Sequence, residues 1–311
     1  VHAELASAIA AELRRPAPEP VTAFAAQLAA RAKGACAAVL FYGSALRDGA
    51  LDGVLDFYVL LDHERAWPGS RWAALANRVL PPNVGYVESQ IDGRTLRAKY
   101  AVMSLERFAT SMSPRSIDTT LWARFSQPCA CLVARSSDEE RRVAAAVQSA
   151  LLTAARWAAL LGPASGRAED FWRALYARTY AAELRVERST RGADLLANDH
   201  ERYARLLPLA WREAGVTFTQ TSDGTLHTAL GEREREVARR RWQRRHRLGR
   251  PLNLLRLLKA ASTFDNAIDY VAWKVERHSG YRIEPSAFQR RHPLLAAPAL
   301  YWRLRARGVL R

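Results

Sequence analysis

Residues 54–61 read Val-Leu-Asp-Phe-Tyr-Val-Leu-Leu, an apolar β-strand pattern with one carboxylate, Asp56, inside it. An isolated ionised carboxylate in an apolar layer is costly unless something compensates it. Such a strand has two solutions: Asp56 sits at the rim of a sheet in solvent, or something cationic meets it there. Residues 35–42, Ala-Cys-Ala-Ala-Val-Leu-Phe-Tyr, form a second buried-strand pattern that stops at Gly43-Ser44. Residues 84–103 alternate on both sides of Asp92-Gly93, a strong hairpin signal. Helices are expected over 2–15, stopped by the proline-rich 16–20, and over 20–33, ending at Gly34. Further helical stretches near 104–125 and a short strand over 128–133 complete a mixed α/β half.

From Asp138 onward the periodicity is helical, with helices expected over 138–161, 168–190, 199–214, 231–247, 252–278 and 285–306. The expected class is α+β: a mixed-sheet domain over 1–135, a helical domain over 136–250, and a basic amphipathic region over 251–311. The densest charge run, residues 232–250, reads first as a solvated helix face.

The chain has 311 residues, 49% of them hydrophobic, enough for a proper core. Its net charge of +16 implies attraction to a polyanion, nucleic acid or anionic lipid. Only Lys33, Lys99, Lys259 and Lys274 are lysines; the arginine and alanine excess reads in part as the coding bias of a GC-rich genome. Cys36, Cys129 and Cys131 form no CxxC pair, so neither a zinc site nor a disulfide framework is expected, and a reducing compartment fits. The N-terminal residues do not resemble a signal peptide. No stretch reaches the about 18 uninterrupted apolar residues of a membrane span, and Arg156 breaks the best candidate, 143–161. The expectation is a protein that is soluble or lies on a membrane without crossing it.

A strand ending in Gly-Ser, a short turn and a strand bearing an acid is the nucleotidyltransferase arrangement. Gly43 lets the backbone approach a triphosphate, and backbone amides with the Ser44 hydroxyl can donate to phosphate oxygens. Asp56 would hold Mg²⁺, the partner that makes an acid tolerable on this strand. The usual second acid, two residues earlier, is here Val54. Lys99, on the second hairpin strand, can reach a phosphate as a point charge. The plain alternatives are a strand turn at 43–44 and an ordinary strand cation at 99.

The stretches FYGSAL (41–46), LDFYVLLDH (55–63), GRTLRAKYAVMSLERF (93–108), LWARFSQP (121–128) and TYAAELRV (179–186) occur in the order and rough spacing of five family motifs. In this the chain resembles the mitochondrial-type phosphatidate cytidylyltransferases, the CDP-diacylglycerol synthases of the translocator assembly and maintenance class, as a bacterial homologue would. The match covers about residues 38–188. A fainter one runs through 254–280, where the family has a basic amphipathic segment. The resemblance implies a nucleotidyltransferase-fold domain and a helical domain with CTP bound between them. Tyr42, Gly43 and Ser44 would cradle the triphosphate, Asp56 would bind Mg²⁺ and Lys99 would contact phosphate. Arg124, Glu183 and Arg185 fall at the family's arginine, aspartate and arginine. Departures are Ala101 and Ala123 for glycines, Gln127 for a lysine, and Ala182-Glu183 for Gly-Asp. The tryptophan-histidine-serine segment after the second strand has at most residues 66–72 in its place.

The function so implied is Mg²⁺-dependent transfer of a cytidylyl group from CTP to phosphatidate. Glu183 is expected to face the cleft as second metal ligand or as a base. Within 252–277, Leu254, Leu255, Leu258, Ile268, Val271 and Val275 with Arg256, Lys259, Lys274 and Arg277 suit an anionic bilayer, with Tyr270 and Trp273 at headgroup level. A core helix would look much the same. The expected location is cytoplasmic, peripheral on the inner face of the membrane, and a homo-oligomer is compatible. The alternatives are transfer to RNA or another phosphorylated acceptor, or a catalytically silent lipid- or nucleic-acid-binding protein.

Overall fold

The computed structural model describes residues 2–182, 199–264, 266–291, 302 and 305. A five-stranded mixed sheet contains β1 (Cys36–Tyr42), β2 (Val54–Leu61), β3 (Asn83–Ile91), β4 (Arg94–Ser104) and β5 (Cys129–Ala134), in the order β3-β4-β2-β1-β5. β2 runs parallel to β4, and the other neighbours are antiparallel. The fold class is α+β, as the strand and helix patterns imply. β3 and β4 close on Asp92 and Gly93, both at positive φ (51° and 72°), the geometry of a two-residue turn whose twist matches the strands. β2 is nearly all apolar because both faces of the sheet are covered.

On one face lies α2 (Glu19–Ala30), which puts Val21, Phe24, Ala25 and Leu28 against Val39, Phe41, Phe57 and Val59. The other face receives α1 (His2–Leu13) and the short helices α5 (Leu105–Ser111) and α6 (Thr120–Phe125), and beyond them α7 (Ser137–Leu161). Between β1 and β2 sits the single turn α3 (Ser44–Asp48), and α4 (Arg71–Val79) precedes β3. Ser136 caps α7 by accepting from the Asp138 and Glu139 amides, and three acids in the first turn complement the helix dipole. α7 is the one described helix long and apolar enough to cross a membrane, but its apolar residues are core and Arg156 is exposed. The same apolar cluster continues into α8 (Ala168–Ala182) and α9 (His200–Glu213) through Phe171, Trp172, Tyr203 and Trp211. A small sheet of β6 (Ser165–Gly166), β7 (Phe218–Gln220) and β8 (Leu226–Thr228), absent from the sequence reading, sits at its far end.

Residues 231–247 and 252–278, expected as two helices, divide elsewhere. α10 (Glu232–Thr263) is continuous through Pro251, and α11 (Ala267–Ser279) follows after a break at 264–266. A proline inside a helix removes one hydrogen bond and crowds the preceding turn. Anchors on both sides of Pro251 tie this helix to the rest of the fold. Arg245 donates to the Pro114 and Ser116 carbonyls, Arg256 to the Pro81 carbonyl and Asp118, and Lys259 to the carbonyls of Leu80 and Pro82. Of the expected helix over 285–306, α12 (Ala287–Arg291) lies within the described residues.

Candidate functional site

The sheet register lines up one cross-strand row. Tyr42 of β1 is opposite Asp56 of β2, Asp56 is opposite Lys99 of β4, and Lys99 is opposite Tyr86 of β3. Strand side chains alternate, so these four share the face that carries Leu40, Tyr58 and Ala101 one step deeper in the core. Asp56 and Lys99 are half-buried, at the edge of the apolar layer rather than inside it. That answers the question the carboxylate posed: it stands near the start of its strand, in register with a cation.

Gly43 fixes the carboxylate's surroundings. Its backbone is at φ 95°, ψ −165°, a conformation essentially reserved for glycine, and a Cβ built there would lie 2.8 Å from Asp56 Oδ2. The chain therefore turns off β1 directly over the Asp56 carboxylate, and only glycine allows so close an approach. Ser44 is exposed at the first position of α3.

Arg124 reaches the same face from α6. Its guanidinium lies over the Tyr42 ring, 5.3 Å from the centroid, and Nη1 approaches the Tyr58 hydroxyl at 3.5 Å. Burial raises the Tyr58 hydroxyl pKa, and the Arg124 charge works against that rise. Tyr42, Tyr58, Phe108 and Phe125 form an aromatic floor, with Tyr58 and Phe125 edge to face at 5.0 Å. Behind it, Asp118 accepts from Arg256 at 2.5 Å and from the Thr120 amide at 3.0 Å. Burial pushes the Asp118 carboxyl up, but Arg256 and Thr120 outweigh it and hold the group below the ordinary carboxylate range.

The far side of the row is closed by α11. Asn266 donates to the Tyr86 carbonyl at 2.9 Å, Tyr270 packs on the Tyr86 ring at 5.4 Å, and Arg277 donates to the Asp52 carbonyl at 3.2 Å. Trp273 lies beneath the guanidiniums of Arg97 and Arg277. Tyr270 and Trp273 thus face the sheet, while Ile268 and Val275 pack with Ala272 and Ile283. Glu88 occupies the same cross-strand row as Val54, where a second acid would be sought. It is engaged, accepting from the Tyr86 hydroxyl at 2.6 Å and pairing with Arg97 at 3.3 Å.

Glu183 and Arg185 lie outside the described residues. Among the described residues no group of three His, Cys, Asp or Glu side chains gathers to hold a metal ion. The donor set still fits Mg²⁺ of a particular kind, because that ion is commonly held by one or two carboxylates with substrate phosphates completing the shell. Asp56 supplies one carboxylate, and the Gly43 backbone lies close against it. Elsewhere, Arg178, Ala181, Trp242, Gln243, His246 and Arg247 line an open, basic pocket of about 280 Å³ between α8 and α10.

The sequence reading reached Tyr42, Gly43, Asp56, Lys99 and Arg124, and the structure puts these on one face. It missed Tyr58, although the i+2 spacing from Asp56 carries that signal. It also missed the Asp118–Arg256 pair and the closure of the row by α11, for which no local pattern exists. No family model matches the chain, and no curated protein is significantly similar to it.

Proposed function

We propose that the chain is a CTP:phosphatidate cytidylyltransferase that makes CDP-diacylglycerol and pyrophosphate. The observation that carries the reading is the Gly43 backbone pressed on the Asp56 carboxylate with Lys99 in register beside it. A phosphatidate oxygen attacks the α-phosphorus of CTP, the bond to the β-phosphate breaks, and pyrophosphate leaves. Such chemistry needs in-line positioning and charge stabilisation more than a covalent nucleophile. Asp56 would hold Mg²⁺, which, when bound, neutralises charge on the departing pyrophosphate. Gly43 and Ser44 offer amides and a hydroxyl to the triphosphate, Lys99 supplies a fixed positive charge, and Arg124 adds a second from α6. The lipid acceptor places the enzyme on an anionic membrane, peripheral and on the cytoplasmic face, and makes nucleic acid the less fitting polyanion. Incubation with labelled CTP, Mg²⁺ and phosphatidate vesicles should yield labelled CDP-diacylglycerol; label appearing only in added RNA would overturn the assignment.

One observation favours a second reading, a catalytically silent binding homologue: Glu88 is already committed to Tyr86 and Arg97. CTP binding without pyrophosphate release in that same incubation would select it.

A further inference from the structure

Helix α4 is amphipathic in the wrong sense for a core helix. Its buried residues are Ala76 and Asn77, and Asn77 donates to the Val102 carbonyl at 2.9 Å and accepts from the Asn83 amide at 2.9 Å. Its outward residues, at i, i+3 and i+7, are Trp72, Leu75 and Val79, which are 62%, 53% and 73% exposed. The C-terminal half of α10 repeats the inversion. Arg256 and Lys259 turn inward onto carbonyls, while Leu254, Leu255 and Leu258 are 52%, 54% and 62% exposed. Apolar surface in water is unfavourable, and a contiguous patch of it marks an interaction site.

The two helices are far apart in sequence, and α10 reaches the turn that ends α4. Arg256 Nε reaches the Pro81 carbonyl at 3.1 Å, and Lys259 Nζ reaches Leu80 and Pro82 at 2.6 and 2.5 Å. Those carbonyls belong to the turn that directly follows Val79. The inward cations of α10 therefore clamp the turn at the end of α4.

Charge selects the occupant. Neither α4 nor the stretch from Val237 to Phe264 contains an acid, and α4 itself carries exposed Arg71 and Arg78 next to its apolar side chains. A second copy of this chain would bring like charge against like. A nucleic acid would meet the arginines but gives the leucines nothing to enter. Anionic lipid headgroups over acyl chains match both parts.

We propose that α4 and the C-terminal half of α10 form one two-helix docking surface for an anionic lipid bilayer, with Trp72 at headgroup depth and the leucines among the acyl chains. The surface rests on the lipid side of the reading above and relocates it: α11, with Tyr270 and Trp273, closes the candidate site instead. Cosedimentation of the full chain with vesicles of phosphatidylglycerol and phosphatidylcholine, without CTP, tests it. Two variants are compared, Trp72→Ser with Leu75→Ser and Val79→Ser, and Leu254→Ser with Leu255→Ser and Leu258→Ser. Each should weaken vesicle binding about tenfold or more, since three apolar side chains lose their insertion energy. Both should keep the wild-type unfolding midpoint and full turnover of CTP with a water-soluble short-chain phosphatidate. Wild-type vesicle binding by the α4 variant would overturn the proposal, as would loss of self-association or of RNA binding in place of vesicle binding. If the wild type binds vesicles but turns over no short-chain phosphatidate, the enzymatic reading fails while the docking surface stands.

Discussion

Replacing Gly43 with alanine perturbs the candidate site with one methyl group. Two costs follow from the geometry. The backbone conformation, φ 95° and ψ −165°, is one an L-residue adopts at about 1–3 kcal/mol. The new Cβ would also stand 2.8 Å from Asp56 Oδ2, so the carboxylate must retreat by about 0.6 Å to reach ordinary contact. Gly49, which ends α3 at φ 69° with nothing within 4 Å of its Cβ position, carries a left-handed backbone cost without the second. Gly49→Ala is therefore the control. Both variants should lower the unfolding midpoint by a few degrees, at about 2–4 °C per kcal/mol for a chain of this class. Only Gly43→Ala should lose turnover, by about 10²-fold, because misplacing a catalytic group by an ångström or less costs that much. Initial rates of pyrophosphate release from CTP and phosphatidate, measured well below both midpoints, give the comparison. If the two variants turn over CTP equally, the close approach of Gly43 to Asp56 has no catalytic meaning.

Asp56→Asn should fold as the wild type does and lose turnover by orders of magnitude, since a metal-held charge contributes several kcal/mol in such transition states; an unaltered rate removes Asp56 from the site. Arg256→Met strands a buried carboxylate at Asp118 and should cost about 3–5 kcal/mol in denaturant unfolding, most of it recovered by adding Asp118→Asn. Equal stability of the single and double variants would mean the pair is not coupled. Burial, and then the Arg256 charge, push the Lys259 amine down from 10.5 to about 8. Between those values the unfolded chain holds a proton that the native chain releases, so this residue's contribution makes stability rise with pH from about 8 to 10.5. Lys259→Met should remove that rise, read as the difference in denaturant midpoints across the interval.

Much of the sheet was legible because its signals are local. Asp92-Gly93 between alternating runs is a strong hairpin signal, and the buried runs before Gly43 and after Gly53 are short, bounded by glycine and rich in aromatic and β-branched residues, which favours strands. The site was partly legible for the same reason: a half-buried acid on a strand and a glycine at a strand end both carry physical costs that need explaining. What could not be read is long-range. Gly249 and Pro251 look like a helix stop; the carbonyls on which Arg245, Arg256 and Lys259 anchor the helix, those of Pro114, Pro81 and Leu80, lie far away in sequence. Likewise the leucines and cations of 252–277 form one amphipathic pattern on paper. In the fold, the break at 264–266 and the inward turn of the cations divide it into a strap over the sheet and an outward apolar face.

β3 ends the five-stranded sheet, and an uncovered edge strand is a template on which other chains can polymerise. Here the chain's own C-terminal third supplies the cover, through Lys259 on the Pro82 carbonyl and Asn266 on the Tyr86 carbonyl. A protein cut before residue 251 would therefore lose more than an outward apolar face. It would leave a bare β3 and an uncompensated Asp118, and its expected fate is aggregation through edge-to-edge pairing. During synthesis the same logic imposes an order: the sheet domain emerges first with one margin open, and it stays adhesive until α10 and α11 arrive to seal it.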